Sequence, residues 1–250
     1  MAPRRLTDRP TSLTPAGVRA HVWTGQGSAC AWAADNPDST RRAKSRACYS
    51  RELRTMTQDN PTRLESDGVE IELWVGDIAA QEGFDAVVNA ANAELRSGGG
   101  VAGALHRAAG PGLAEEARPL APIRPGQAVL TLGHALPNPW VIHCLGPVYG
   151  RDHPEDELLA SCYREALRIA EERGLESIAF PAISTGAFGY PVRDAAQVAL
   201  RTILAAAPGL RSVQRVRFVL HDDEALRVYR AALAEQVRGR IVGSADPSTS

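Results

Sequence analysis

The chain is nearly without lysine. Lys44 stands alone among 250 residues, and every other formal cation is an arginine or the N-terminus. Nucleotide hydrolysis of the P-loop kind is therefore excluded, because it needs a lysine on the β- and γ-phosphates directly after a glycine loop. Cysteine is scarce and scattered. Cys30, Cys48, Cys144 and Cys162 form no C-x-x-C pair. That spacing fits neither a zinc knuckle nor a disulfide framework, so free or buried thiols in a reducing cytoplasm are expected, with no metal site. Long apolar runs are missing too. Nothing reaches the roughly 18 consecutive apolar residues of a membrane span, and the N-terminus carries no continuous apolar secretory stretch. The expectation is a cytoplasmic protein without a membrane partner. Aromatics are only 5%, yet hydrophobic residues reach 44% and charged residues 23%. Those two values belong to a folded chain.

The formal charge of −1 conceals two opposed segments. Residues 1–66 hold 11 Lys and Arg against 6 Asp and Glu, whereas residues 67–250 hold 17 against 23. The acidic part offers no basic face to phosphates, which argues against nucleic acid as a partner. Residues 1–66 show no sustained periodicity and contain Pro10, Pro15, Pro37, Pro61 and the basic run Arg41-Arg42-Ala43-Lys44. A disordered N-terminal extension is expected there. Trp23 and Trp32, unusual in a linker, would suit a small docking element, and Met56 offers an alternative translation start. Residues 67–238 form the expected domain, followed by a flexible polar tail over 239–250.

From Val69 the pattern changes. Val69–Val75 alternates apolar and acidic residues, as a half-buried strand does. Asp85–Asn89, Gln127–Leu132, Trp140–Leu145, Ile178–Ala182 and Val213–Leu220 read as five further strands. Val101–Ala109, Pro111–Arg118, Asp156–Arg173, Arg193–Ala207 and Glu224–Val237 read as helices, the third closed by Gly174 and the fourth by Pro208. This alternation predicts one α/β domain with helices on both faces of the sheet. Ligands of such sheets sit beyond the carboxyl ends of the strands, so the loops there should carry the chemistry.

Two loops stand out. Asn89-Ala90-Ala91-Asn92 leads to Gly98-Gly99-Gly100 immediately before a helix. Glycines at a helix N-terminus present unobstructed backbone N–H groups, a natural phosphate cradle. Gly98, Gly100 and Gly103 also satisfy G-x-G-x-x-G, but eight residues separate them from the strand end, unlike a dinucleotide-binding turn. The second loop, Ser184-Thr185-Gly186-Ala187-Phe188-Gly189-Tyr190-Pro191, again combines small and hydroxyl residues with two aromatic walls. Together they could grip a pyrophosphate from both sides.

With these segments in view, the chain resembles the macrodomain family. The resemblance rests on Gly76-Asp77-Ile78, Val88–Asn92, Gly98–Leu105 with His106–Pro111, Val141–His143 with Gly146-Pro147, and Ile178–Pro191, in the family's order over about 68–236. His106-Arg107-Ala108-Ala109-Gly110-Pro111 is most similar to the branch that removes mono-ADP-ribose from proteins and deacetylates O-acetyl-ADP-ribose. The resemblance implies a three-layer α/β/α fold with a mixed, about six-stranded sheet, and ADP-ribose or an ADP-ribosylated protein as partner of a monomer that needs no cofactor. It implies that Asp77 accepts from the adenine amino group and that Ile78 offers its backbone N–H. Asn92 would hold the distal ribose. Gly99, Gly100 and Val101, with Ser184, Thr185, Gly186, Ala187 and Phe188, would enclose the phosphates. Phe188 and Tyr190 would flank the distal ribose, and His221 falls where members often set an aromatic against adenine. On the residues alone, Asp77 also reads as a turn cap and His221 as a surface histidine.

One position departs from the family pattern. Hydrolytic members of the nearest branch carry an Asp that orients or activates water where this chain has Ala102. A methyl group cannot serve as a general base, whose loss typically costs about 10²–10⁴ in rate. Viral members resemble this chain at Gly98–Leu105 and are regarded as hydrolases, with water held against the ligand's own phosphate. The expected activity is hydrolysis of ADP-ribosyl esters, with Asn92 and His106 as catalytic residues. His106 lies one helical turn beyond Ala102, and a structural hydrogen bond is its other reading. The alternative is a non-catalytic reader of ADP-ribose, and a third class, nucleotide or single-stranded RNA binding, rests on the basic arm alone. His143 alternates into the sheet and reads as a core residue.

Overall fold

The computed structural model describes residues 62–243. The expected N-terminal extension up to residue 61, with Trp23, Trp32, the basic run and Met56, lies outside the described residues, as do residues 244–250. Seven strands form one sheet: β1 (Arg63–Ser66), β2 (Val69–Val75), β3 (Ala86–Ala90), β4 (Ala128–Leu132), β5 (Trp140–Cys144), β6 (Ser177–Pro181) and β7 (Arg215–Leu220). Their spatial order is β1-β2-β7-β6-β3-β5-β4. The five central strands run parallel, while β1 and β4 pair antiparallel at the two edges.

The sheet corrects the expectation of six strands. The additional one is β1, which lies inside the stretch predicted to be disordered. Leu64 and Ser66 face inward while Arg63 and Glu65 face out, and Arg63 opposes Glu72 across the pair. Two inward side chains are too short an alternation to stand out from a polar background. The paired edge also brings Arg63 to 2.8 Å from Glu72 and Arg217 to 2.6 Å from the same carboxylate.

Helices cover both faces. On one face α1 (Gly100–Ala109) and α2 (Pro111–Ala117) lay Leu105, Ala109 and Leu113 over Val87, Val141, Ala179 and Val219. On the other, α3 (Glu155–Glu172), α4 (Val192–Ala206) and α5 (Asp223–Gly243) bury Leu159, Tyr163, Leu200, Ile203, Tyr229 and Leu233 against Val88, Ile142, Ile178, Phe180 and Phe218. The central strands touch apolar side chains on both faces, which explains their unbroken apolar text.

Local signals set the helix ends. Glu155, Asp156 and Glu157 occupy the first turn of α3, where the helix dipole favours negative charge. Its other end closes as a Schellman motif: Leu175 N–H donates to the Ala170 carbonyl (2.9 Å) and Gly174 N–H to that of Glu171 (3.0 Å). Gly174 takes a φ of +65° there, the left-handed conformation that glycine tolerates best. Among the described residues no helix is long and apolar enough to cross a membrane.

Candidate functional site at the carboxyl ends of the parallel strands

Because β2, β7, β6, β3 and β5 are parallel neighbours, the loops that follow them open along one edge of the sheet. In spatial order these are Gly76–Ala80, His221-Asp222, Ala182–Pro191, Ala91–Gly99 and Leu145–Pro154. The topology thus brings both glycine loops side by side, after the adjacent strands β6 and β3. Asp77, Ile78 and His221 stand together at one end, since Val75 opposes Leu220 and Gly76 N–H donates to the Leu220 carbonyl at 3.1 Å.

The first loop is held by its own asparagine. Asn92 Oδ1 accepts from Arg96 N–H (3.0 Å) while its Nδ2 donates to the Arg96 carbonyl (2.8 Å). This bracket folds residues 92–96 into a compact turn and delivers Gly98 to the start of α1. Gly99 is the N-cap and supplies no side chain to the first-turn amides, and Gly100 adopts φ +54°. No acidic residue occupies that turn. The first N–H groups of α1 therefore point beyond the helix without a protein acceptor, as an anion site requires. Gly103 matters for a different reason. A methyl there would overlap the Gly98 carbonyl and meet Arg107. Its missing side chain lets the glycine run lie flat against α1.

The second loop turns at Ser184, a non-glycine residue at φ +67°. Thr185 Oγ1 donates to the Ala182 carbonyl (2.9 Å), and Tyr190 N–H donates to the Ser184 carbonyl (3.0 Å). Among the described residues the amides of Gly186, Ala187 and Phe188 have no protein acceptor. Ser184 Oγ is buried and unpartnered, lying where a side chain on Gly146 would stand. Phe188 is half-buried against Ala91, Leu95 and Leu145 and forms the wall between the two loops.

Tyr190 corrects the expectation of a second wall. Only 2% exposed, it belongs to the core beneath the loop, and its hydroxyl donates to Asp156 Oδ1 at 2.5 Å. Burial and that carboxylate push the Tyr190 pKa up. An exposed ring, Tyr149, covers the outer side of Tyr190, with centroids 4.9 Å apart. Sequence spacing missed Tyr149 and Asp156 because neither belongs to a glycine-rich run; an aromatic two residues after Pro147 was the available signal.

At the opposite end Asp77 caps the following 3-10 turn, with Oδ1 accepting from Ala79 N–H at 2.9 Å. The capping reading therefore holds for one carboxylate oxygen, and Ile78 N–H has no protein acceptor among the described residues. Ile78 packs with Leu105 and Val101, which ties this end to α1. His221 is exposed.

His106 turns inward. Only 6% exposed, it lies with its ring centroid 6.5 Å from that of His143, and its Nε2 is buried without a partner. Burial lowers its pKa. This orientation puts it against the sheet rather than toward the strand ends, and the expected structural hydrogen bond is not made at Nε2. His143 is fully buried and bonded at both nitrogens, to Asn89 Nδ2 (3.0 Å) and Thr131 Oγ1 (2.9 Å). Ala102, in the first turn of α1, is buried as well. Cys144 and Cys162 are buried free thiols. Among the described residues no group of three His, Cys, Asp or Glu is placed to hold a metal ion.

Fold and site together define a three-layer α/β/α module with two loops of unpaired backbone amides side by side at one edge. The comparison with protein families gives this class its family: residues 88–199 match the Macro domain model. A macro domain-containing protein of Chlorobaculum tepidum is 50% identical over 151 residues, 60% of this chain and 88% of that protein. The O-acetyl-ADP-ribose deacetylase of Klebsiella pneumoniae is 44% identical over 171 residues, 66% of this chain and 97% of that enzyme. A solved variant of the Oceanobacillus iheyensis macrodomain with ADPR superposes with a TM-score of 0.68 at 34% identity, covering 70% of this chain and 98% of that one. The chain belongs to the macro domain family.

Proposed function

We propose that this macro domain binds ADP-ribose and hydrolyses ADP-ribosyl esters, either O-acetyl-ADP-ribose or mono-ADP-ribose on acidic residues of proteins. The observation that carries the binding half is the pairing of two acceptor-free amide sets on adjacent strand ends: the first turn of α1 and Gly186–Phe188. A diphosphate between them would satisfy both. Anions at a helix N-terminus gain about 0.3–1 kcal/mol from the dipole at exposed sites, besides the hydrogen bonds. Asp77 orients the ligand. A carboxylate accepts hydrogen bonds only, so its free oxygen suits the exocyclic amine of adenine, with Ile78 N–H beside it for a ring nitrogen. The distal ribose then lies over β3 and β5, near Asn92 and Phe188.

Catalysis rests on positioning. Neither Ala102 nor the inward-turned His106 supplies a base beyond the strand ends. The bracket from the Asn92 amide to Arg96 uses one N–H and one lone pair and leaves a second of each. With the two loops, that amide would hold water against the ester beside the ligand's own phosphate. Proximity of this kind can provide several kcal/mol of the barrier. The methyl of Ala102 equally favours a second reading, a non-catalytic reader of ADP-ribose.

Calorimetry with ADP-ribose, ADP, AMP and NAD tests binding, and a time course on O-acetyl-ADP-ribose and Glu/Asp-modified protein tests turnover. The expected result is ADP-ribose bound most tightly and release above buffer in wild type, reduced in Asn92→Ala. Equal inactivity of wild type and Asn92→Ala, with ADP-ribose still bound by wild type, would establish the reader. No binding of ADP-ribose at all would sink both readings.

A further inference from the structure

Four large apolar side chains are exposed among the described residues: Trp74, Leu120, Leu132 and Tyr149. Tyr149 alone lies in a loop that follows a parallel strand. Its placement is unusually well supported for a surface aromatic. The Tyr149 N–H donates to the Phe188 carbonyl at 2.9 Å, which joins the loop after β5 to the second glycine loop. Its ring leans on Tyr190 with an interplanar angle of 57°, and Tyr190 is itself fixed by Asp156.

The backbone around it is equally tied. Val148 N–H donates to Asp152 Oδ2 (2.9 Å), Arg151 and Asp152 N–H return to the Val148 carbonyl (3.1 and 3.0 Å), and Gly150 N–H reaches Glu155 Oε1 (3.3 Å). With the residue 46% exposed on this scaffold, the side chain contributes little to the core but offers a supported aromatic face. Rigid aromatic side chains suit recognition because they bury much area for little lost rotamer freedom.

We propose that Tyr149 is a specificity-determining residue that contacts the group attached to the distal ribose, selecting ADP-ribose carried on a polypeptide over the free ligand or its small esters. This rests on the ligand orientation proposed above. With adenine at Asp77 and the diphosphate between the loops after β6 and β3, the distal ribose lies next to Phe188. The next element along the edge is the β5 loop, and Tyr149 is hydrogen-bonded to Phe188 itself. An acetyl group is too small to extend across a phenol ring there. A peptide backbone or side-chain stem is not.

The test uses the full chain, as wild type, Tyr149→Ala and Tyr149→Phe. Calorimetry compares free ADP-ribose with a peptide bearing ADP-ribose through a non-hydrolysable linkage, so the readout does not depend on turnover. Wild type should bind the modified peptide at least about 5-fold tighter than ADP-ribose. Tyr149→Ala should lose that preference while its Kd for free ADP-ribose stays within about 2-fold, and Tyr149→Phe should retain most of it. An unchanged preference in Tyr149→Ala, or none in wild type, overturns the proposal. A parallel loss for both ligands would assign Tyr149 to maintaining the loop instead, and would equally overturn it. Wild type that ignores ADP-ribose altogether refutes the binding function itself, a separate outcome.

Discussion

Acid should weaken this fold through one histidine. His143 is held neutral: burial, with a smaller contribution from nearby His106, lowers its pKa from 6.5 to about 3. Its hydrogen bonds explain why the ring resists a proton. Thr131 Oγ1 donates to the Leu132 carbonyl (3.2 Å), so it accepts from His143 Nε2–H. The Nδ1 lone pair then accepts from the Asn89 amide, and a proton on Nδ1 would face that amide's N–H. In the unfolded chain the same imidazole titrates near 6.5. Between those two values the unfolded state binds more protons, so stability is complete above about pH 6.5 and falls as pH drops toward 3. The loss approaches about 1.4 kcal/mol per pH unit: roughly 2 kcal/mol by pH 5 and about 4 kcal/mol near pH 3. For a domain of this size, roughly 2 kcal/mol lowers Tm by about 4–8 °C.

Urea melts of wild type and His143→Gln between pH 5 and pH 7.5 would measure it. The variant should be less stable at pH 7.5, yet its stability should fall about 2 kcal/mol less across that interval. The lowered pKa of His106 acts in the same direction and remains in both proteins, so only the difference is diagnostic. Should His143→Gln fail to fold, NMR of the imidazole carbon-bound protons in wild type gives the answer directly: His143 must stay neutral at pH 5. Parallel pH profiles for the two proteins, or a ring that titrates near 6.5, would refute the reasoning.

Other expectations follow from particular contacts. Gly103→Ala forces a methyl into the Gly98 carbonyl, so the fold should lose about 1–3 kcal/mol of stability in denaturant melts, as overpacking does. ADP-ribose affinity should fall at least tenfold by calorimetry as the glycine run lifts off α1. Leu105→Ala removes a fully buried side chain between α1 and the sheet and should cost about 2–5 kcal/mol in the same melts. Ala102→Asp introduces the missing carboxylate; if water is bound near the first turn of α1, ester turnover should rise by about 10²–10⁴, and an unchanged rate would place the water elsewhere. Raising salt from 50 to 500 mM should change ADP-ribose affinity less than about 3-fold, because neutral amides rather than cationic side chains face the ligand.

Much of this was legible because it is written in local patterns. β2 coincides with the alternation Val69–Val75, and α3 ends at the glycine that the sequence marks. Both glycine loops were visible as composition, and the parallel topology then puts them together. What escaped depends on pairing between distant segments. β1 becomes a strand only against β2, since four residues carry too little period of their own. Tyr190 sits in the second loop by sequence, but whether it faces outward or into the core depends on Asp156, 34 positions earlier. The Thr131–His143–Asn89 chain crosses three strands whose order no sequence spacing reveals. His106 looked available from its helical distance to Ala102; the burial that turns it inward comes from the sheet beneath.

The flat contact between Gly98 and Gly103 carries a consequence for how such a site can change over generations. Its donors belong to the main chain, so among single substitutions only proline deletes one outright. Other replacements act by altering shape, through bulk where Gly103 leaves room or through strain where Gly100 adopts φ +54°. Elsewhere along the same edge the side chains differ in setting: Ala102 is packed in, while Tyr149 and His221 reach solvent. The unpaired amides come with the fold, whereas in the function proposed above ligand choice and turnover fall to a few side chains.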